Sequence, residues 1–493
     1  MALLALLVLT MQGTGGAWTA EFNGYPDEAA HFVTGKMIRE YVGVLSWSTW
    51  TESPIEWAGQ YYLHYPKVGL GHWPPGYYLL EALWSVPFGY SRGSMMGLQW
   101  LMGWASLLVF YLLARPLFPL AVTAGLVLLL AATPVYQQGL GMTMTDLSCL
   151  LCSLLFLRVV VGFMEAPGAK TLYPVALVLL VAAMMKGTAV CLAPVPIVAV
   201  LASGQRFRIR LRWPVVAAGA ALVLCVVWYV STTDIRYWGG IGANMPWPGA
   251  IPGKLAGWGF VGLSAVGFVS RLRRLEPLVL VAGATIGSTL VTSVALRAMN
   301  EPRHWIIVLP PVLLLAGYAL SSFGKLAGVM LVIPAVLMFP WRWYQQTPGG
   351  YNGLLEQLHL PARMMISSGR AGEGAWVAVT AAVEHYPASV VVRASKALAR
   401  SGWNGEDYVL QVDGVAGAAR RLDELGIDVV VLDAPLAPKP PHHVLLKQTV
   451  SESSAWKGCG SFGKLVAYCR AEPARVPRVP LVVEAGGRRF EEY

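Results

Sequence analysis

Two adjacent carboxylates, Asp27 and Glu28, stand just after a first apolar segment, and a third, Asp146, follows Thr143-Met144-Thr145 at the start of another. Two cations occupy comparable places: Lys186 separates the apolar runs 175–185 and 189–195, and Arg303 lies in Glu301-Pro302-Arg303-His304-Trp305. A carboxylate at the mouth of a helix bundle can accept the proton of an attacking hydroxyl and stabilise positive charge at an anomeric carbon. A guanidinium grips phosphate oxygens with a planar fork, and a lysine supplies a compact point charge. These types suit the transfer of a sugar from a lipid phosphate, with Asp27 as base, Glu28 and Asp146 in an acidic cavity, and Lys186 and Arg303 holding the departing phosphate. Each residue also has a plainer role. Asp27 and Glu28 can mark a helix exit, Asp146 can be an N-cap worth about 1 kcal/mol, and the two cations can snorkel to the interface.

The elements that carry these residues belong to a membrane protein. Of 493 residues 56% are hydrophobic and 13% charged, with a mean hydropathy of +0.54, which is too apolar for a soluble enzyme and too long for one span. The net charge of +10 is spread through short loops rather than gathered in a stripe, so nucleic acid is not an expected partner and orientation in the bilayer is the better use. Runs of about 17–25 apolar residues give approximate spans at 2–18, 93–113, 118–137, 144–163, 172–186, 188–203, 213–231, 254–270, 277–296, 304–322 and 324–341. The expected fold is therefore a polytopic α-helical membrane protein of about eleven transmembrane helices. Residues 1–17 lack the basic n-region and clear cleavage site of a signal peptide and count as the first span. The aromatic, Pro-flanked segment 74–90, interrupted by Glu81, is expected to lie at the interface.

With the amino terminus inside, the clusters Arg206, Arg208, Arg210, Arg212 and Arg271, Arg273, Arg274 fall on the cytoplasmic side. Every polar group singled out above then faces outward. The short inner loops hold no Walker-type phosphate loop, which disfavours a nucleotide donor from the cytosol.

The division expected is a membrane domain over 1–341, whose outer loop 19–92 carries juxtamembrane helices, and an outer domain over 342–493. In the second, strand-length runs at 364–367, 389–392, 428–432 and 464–468 alternate with helical patterns at 373–386, 414–424 and 441–451. That alternation predicts a small parallel α/β domain. Its Gly369–Gly374 connection lacks dinucleotide spacing. Cys149 and Cys152 fall within a span and fit the core better than a redox or zinc motif. Cys459 and Cys469 lie in the outer domain, where an oxidising compartment would let them pair.

His72-Trp73-Pro74-Pro75-Gly76-Tyr77-Tyr78 can shape the outer loop, since the prolines fix the backbone and Trp73 and the tyrosines suit an interface or a sugar face. His64 and His72 are weak candidates for a divalent metal with Asp27 or Glu28, because no third ligand stands at a defined spacing. No other cofactor is expected.

In order, Tyr25-Pro26-Asp27-Glu28-Ala29-Ala30-His31, the His72–Tyr78 element, Thr145-Asp146-Leu147, Met185-Lys186-Gly187, and Arg303-His304-Trp305 with Pro310-Pro311 resemble the GT-C membrane glycosyltransferases. Within that group the run is similar to the bacterial relatives of protein O-mannosyltransferases and of lipid A aminoarabinose transferase, across about residues 1–322. The resemblance implies a polyprenyl-phosphate sugar donor, inversion at the anomeric carbon, Asp27 as catalytic base and Asp146 lining the same cavity. His72, Trp73, Pro74, Tyr77 and His304 would shape the substrate. The family's Glu-Lys-Pro-Pro form is absent at 72–75, which puts metal coordination and aminoarabinose chemistry in doubt. Acceptor and sugar are left open: the acceptor is a lipid, glycan or protein, but the tail is not the large carbohydrate-binding module of eukaryotic protein mannosyltransferases, so a protein acceptor is not implied, and a bacterial inner membrane is the expected setting. A secondary transporter would show inverted repeats and midplane charges, which the chain lacks. A non-enzymatic envelope assembly protein would tolerate loss of Asp27.

Overall fold

A computed structural model of the chain describes residues 1–44, 53–69, 73–204, 217, 219–220, 224, 255, 257–296, 301–321, 323–338, 345–400, 408–434, 436, 440–472, 482–485 and 488–491. Two compact units emerge. One comprises Met1–Ala17, Gly71–Tyr77 and Met96–Gln345, and the other Trp18–Leu70, Tyr78–Met95 and Gln346–Tyr493. The second unit is discontinuous in sequence, because the segment after the first helix shares a core with the carboxy-terminal segment: Phe22, Phe32 and Tyr61 pack in one cluster with Met364, Trp376 and Val431.

Among the described residues, four helices are long and apolar enough to cross a bilayer: Arg92–Ala114, Asp146–Glu165, Pro277–Ala295 and Pro302–Ser321. A fifth candidate is the pair Leu120–Ala132 and Pro134–Gly141, bent by 59°. The single span expected over 118–137 is thus broken. Pro134 offers no N–H to continue the helix and its ring clashes with the preceding turn, while the Thr133 hydroxyl donates to the Leu130 carbonyl at 2.7 Å. Helices Ala2–Thr14, Ala169–Met185, Gly187–Ser203 and Trp258–Leu272 are apolar but shorter. The eleven spans expected are therefore not reached among the described residues. Most of 213–231, all of the basic cluster 206–212 and the loop 232–253 lie outside them.

Small residues set the helix spacing in the first unit, as they do where lipid offers no competing hydrophobic drive. A Cβ on Gly125 would lie 2.7 Å from Leu331 Cβ, and one on Gly328 2.9 Å from Ala121 Cβ, so Leu120–Ala132 and Lys325–Met338 cross nearly backbone to backbone. Tighter still, a Cβ on Gly267 would meet the Leu315 carbonyl oxygen at 1.9 Å.

In the second unit the sheet runs Val390–Arg393, Arg363–Ser367, Val429–Asp433, Leu465–Arg470, Trp456–Phe462. The first three strands are parallel, with Met365 opposite both Val392 and Val430, and the last two are antiparallel. The expectation of a wholly parallel sheet is corrected accordingly: the run 464–468 returns as half of a hairpin. Arg363–Ser367 is buried along its whole length, as a strand covered on both faces must be. Helices Arg370–Val383, Gly414–Glu424 and Pro441–Ser451 stand close to their expected places. Cys459 and Cys469 form a disulfide within the hairpin, with Cα atoms 5.6 Å apart. Cys149, Cys152 and Cys191 are buried and not disulfide-bonded, so the Cys149–Cys152 pair is core, and Cys225 lies outside the described residues.

Gly267→Ala is expected to destabilise the first unit by about 1–3 kcal/mol, because the added methyl forces helix Trp258–Leu272 off the backbone at Leu315. Gly262 meets nothing within 4 Å, so Gly262→Ala in the same helix should leave the thermal midpoint in detergent unchanged or slightly raised. Equal midpoints for both variants would contradict the close crossing.

Candidate functional site

In the first unit, Asp146 opens the helix Asp146–Glu165. Thr145 holds the cap position without a side-chain hydrogen bond, so the N-cap role considered for Asp146 does not apply. Its carboxylate, only 2% exposed as a residue, instead accepts a hydrogen bond from the Lys186 ammonium. Lys186 is the junction between helix Ala169–Met185 and the 3-10 helix Gly187–Leu192, with extended backbone angles that turn its side chain out of both. The partner it finds there is an anion, not the lipid surface, so simple snorkelling is set aside. Removing either member of such a pair would leave an uncompensated buried charge, at a cost of about 3–5 kcal/mol.

Arg303 is on the 3-10 helix Pro302–Val308, which a capping box starts: His304 Nδ1 accepts from the Glu301 backbone N–H at 3.4 Å. The Glu301 carboxylate also accepts from Arg303 Nε, fixing the guanidinium before any ligand arrives. The charges of Lys186 and Arg303 both act on Asp146, and His304 stands among them. Sequence order thus spreads Asp146, Lys186, Arg303 and His304 over three helices, and the fold gathers them in one unit.

The Pro-Pro element braces this group. A Cβ on Gly76 would lie 2.7 Å from the Met184 carbonyl oxygen, which places the start of helix Gly76–Phe88 against the end of the helix leading to Lys186. Gln99 Nε2 donates to the Tyr77 hydroxyl at 2.6 Å and to the Met144 carbonyl at 2.9 Å, linking the same element to the approach to Asp146. Pro74 and Tyr77 are buried and Trp73 is half-buried, while His72 lies outside the described residues.

In the second unit the pair Asp27 and Glu28 divides. Glu28 is wholly buried, bound to Arg92 at 3.0 Å, and Arg92 reaches Gln346 Oε1 at 3.2 Å and lies over the Phe22 ring. Glu28 is therefore an internal anchor, and not a group lining an open acidic cavity. Asp27 remains half-exposed at the mouth of helix Glu28–Val44. Its loop is tied down on the amino-terminal side too. The Glu21 carboxylate accepts from the N–H groups of Gly350, Tyr351 and Asn352 at 2.5–3.1 Å, and Asn23 donates to the Thr347 carbonyl. His31 Nδ1 and the Tyr78 hydroxyl share a hydrogen bond of 2.7 Å one turn further on.

Lys67 is the group that sequence reasoning passed over. It donates to the Pro26 carbonyl at 3.1 Å, and its charge acts on Asp27 and Glu373. A Cβ on Gly374 would lie 3.0 Å from Lys67 Cε and 3.2 Å from the Ala29 methyl, so helix Arg370–Val383 packs closely against the lysine stem at this glycine. Burial first, and the Arg393 guanidinium second, bring its pKa down to about 7. No motif marks Lys67; the only signal is a solitary lysine between Pro66 and Val68.

His64 Nδ1 is engaged by the Ser389 carbonyl at 2.9 Å, and Glu28 by Arg92. Among the described residues no three His, Cys, Asp or Glu side chains converge as metal ligands. His72 lies outside the described residues, and no step is routed through a metal.

Lys67 sets two pH dependences. The folded pKa lies below the ordinary lysine value of 10.5, so the folded state holds fewer protons between pH 7 and 10.5. Its contribution to stability is then present above 10.5 and lost as pH falls through about 7. Chemical denaturation of wild type should show stability rising from pH 7 toward 10 relative to Lys67→Met. A Lys67→Arg variant keeps the cation beside Asp27 at every pH, so any activity limb near pH 7 should vanish in it.

Residues 72–230 match the model of a family described as dolichyl-phosphate-mannose-protein mannosyltransferase. No curated protein matches the chain by sequence. Among solved structures, the chain is similar to ArnT from Cupriavidus metallidurans in the apo state, at 14% identity and a TM-score of 0.56 over 95% of this chain and 97% of that one. It is also similar to the same protein bound to undecaprenyl phosphate, at 13% identity and 0.54 over 97% and 99%. The Archaeoglobus fulgidus oligosaccharyltransferase, solved with Zn and sulfate, is similar at 12% identity and 0.52 over 95% of this chain and 72% of that one. These likenesses are of fold, and they give the chain the GT-C membrane fold that the ordered motifs resemble.

Proposed function

We propose that this chain is a membrane glycosyltransferase that moves a sugar from a polyprenyl-phosphate donor to an acceptor hydroxyl on the outer face of the membrane, with inversion. The carrying observation is the gathering of Asp146, Lys186, Arg303 and His304 from three separate helices, with each cation already oriented by a carboxylate. Preorganised cations stabilise a departing phosphate without reorganising at the moment of reaction. The likeness to a protein solved with undecaprenyl phosphate supports a lipid-phosphate donor.

In the step envisaged, the acceptor oxygen attacks the anomeric carbon and its proton passes to the Asp27 carboxylate. The bond from the anomeric carbon to the phosphate oxygen breaks, and its electron pair leaves with the polyprenyl phosphate. Lys186 and Arg303 receive that charge. Lys67, while protonated, supplies a positive charge that acts on Asp27. Attack from the face opposite the phosphate inverts the centre. The Cys459–Cys469 disulfide supports an extracytoplasmic carboxy-terminal unit, which with a cytoplasmic amino terminus matches a bacterial inner membrane protein.

Reconstituted wild type should transfer label from at least one of a panel of radiolabelled polyprenyl-phosphate sugars, and absence of transfer from all of them would contradict the reading. Arg303→Met should weaken undecaprenyl-phosphate binding by roughly 10-fold or more, the scale of a lost charge-assisted hydrogen bond. Tryptophan fluorescence titration checks this, and unchanged affinity would remove Arg303 from phosphate binding.

A further inference from the structure

We propose that Lys67 and Arg393 form an oxyanion-binding subsite beside Asp27, and that the acceptor carries a phosphate or carboxylate close to its attacking hydroxyl. Calling that ligand the acceptor rests on the transferase reading, while its binding requires no transfer. Every group involved belongs to the second unit.

Lys67 and Arg393 are far apart in sequence, and two consecutive residues of one helix bring them together. A Cβ on Gly374 would lie 3.4 Å from Lys67 Nζ, and the residue before it, Glu373, accepts from Arg393 Nε at 3.0 Å and from the Ser395 N–H and hydroxyl. Arg393 ends strand Val390–Arg393, and helix Arg370–Val383 follows the parallel strand Arg363–Ser367. The two cations therefore stand off the carboxyl ends of the parallel strands, the edge at which open α/β sheets take their ligands.

What this edge lacks is acceptors. A protonated lysine has three N–H donors and an arginine five. Lys67 gives one to the Pro26 carbonyl at 3.1 Å, and Arg393 gives Nε to Glu373. The other donors of Lys67 and both terminal amino groups of Arg393 find no acceptor among the described residues. Lys67 is half-buried; the Arg393 side chain is 16% exposed, and its terminal nitrogens are open to solvent. Tyr62, on helix Pro54–His64, lies within reach of the Arg393 charge and brings a further hydroxyl to that neighbourhood.

The balance of charge selects the class of ligand. The charges that act on Lys67 are those of Arg393 and the exposed Lys396 on one side, and Asp27 and Glu373 on the other. With Lys67 itself, three cations face two carboxylates, and Glu373 is already engaged by Arg393. An oxyanion between the cations offsets their mutual repulsion and holds Lys67 protonated. A planar fork beside a compact ammonium suits a phosphate or a carboxylate, and both groups are held in place before the ligand arrives. Because Lys67 is bound to the carbonyl of the residue before Asp27, an anion held there lies beside the base. The acceptor that fits bears its charge on the same unit as the attacking hydroxyl or on the next one.

Saturation-transfer NMR on the full chain in detergent, with undecaprenyl phosphate present in excess, tests this. The charged probes are sn-glycerol 3-phosphate and methyl glucuronide, and methyl glucoside is the neutral one. Wild type should prefer at least one charged probe to methyl glucoside by roughly 10-fold or more. Which one it takes tells a phosphate-bearing acceptor from an acidic sugar. At matched thermal midpoint, Lys67→Met should weaken the charged probe by a similar factor. Arg393→Lys keeps the charge that Glu373 requires and removes the fork, and it should weaken the probe too. Asp27→Asn and Arg303→Met should bind the probe at least as tightly as wild type even where transfer is lost, which separates failure of this subsite from failure of the transferase reading. No binding of either charged probe by wild type, or equal binding of charged and neutral probes, would overturn the proposal. Wild-type affinity in both Lys67→Met and Arg393→Lys would do so too, as would loss of the probe in Arg303→Met.

Discussion

A charged group taken out of water must be given a partner of opposite sign, and that requirement organises the polar interior of this chain. Glu28 is given Arg92, Asp146 is given Lys186, and Glu373 is given Arg393. Each pair joins segments far apart in sequence, so each satisfied charge is also a tether. Such pairs add little net stability compared with apolar packing, but breaking one is costly. They therefore specify which segments meet more than they strengthen the fold. Glu28 illustrates the consequence: its neutralisation by Arg92 roots the start of helix Glu28–Val44 and leaves the adjacent Asp27 at the helix mouth, half in solvent.

Much of this was legible in the sequence where a residue's environment follows from its neighbours. The strand-length runs at 364–367 and 428–432 are strands, and the helices of the carboxy-terminal segment fall within a few residues of their periodic patterns, because apolar periodicity reports burial directly. The direction of the strand at Leu465–Arg470 was not legible, since a short apolar run carries no sign of whether its connection is a crossover or a hairpin. The break at Thr133-Pro134 was visible in principle, as proline is the usual cause, but hydropathy alone runs straight through it.

The candidate site divides along the same line. Asp146, Lys186 and Arg303 stood out because isolated charges beside apolar runs are conspicuous, and they do cluster. Glu28 stood out equally and has a different role, because a carboxylate's exposure depends on a cation 64 residues away in sequence. Lys67 did not stand out at all. Its perturbed state arises from a helix some 300 residues later, where Gly374 leaves room for it, and no local pattern can report that contact.

The account rests most heavily on Asp27 as the group that takes the acceptor's proton. The direct measurement is single-turnover transfer from a pre-bound polyprenyl-phosphate sugar in reconstituted membranes, comparing wild type with Asp27→Asn at matched folding and matched donor binding. The chemical step should slow by roughly 10²–10⁴-fold in the variant, the usual contribution of a general base. An unchanged single-turnover rate would contradict the assignment and leave Asp27 no part in the chemistry.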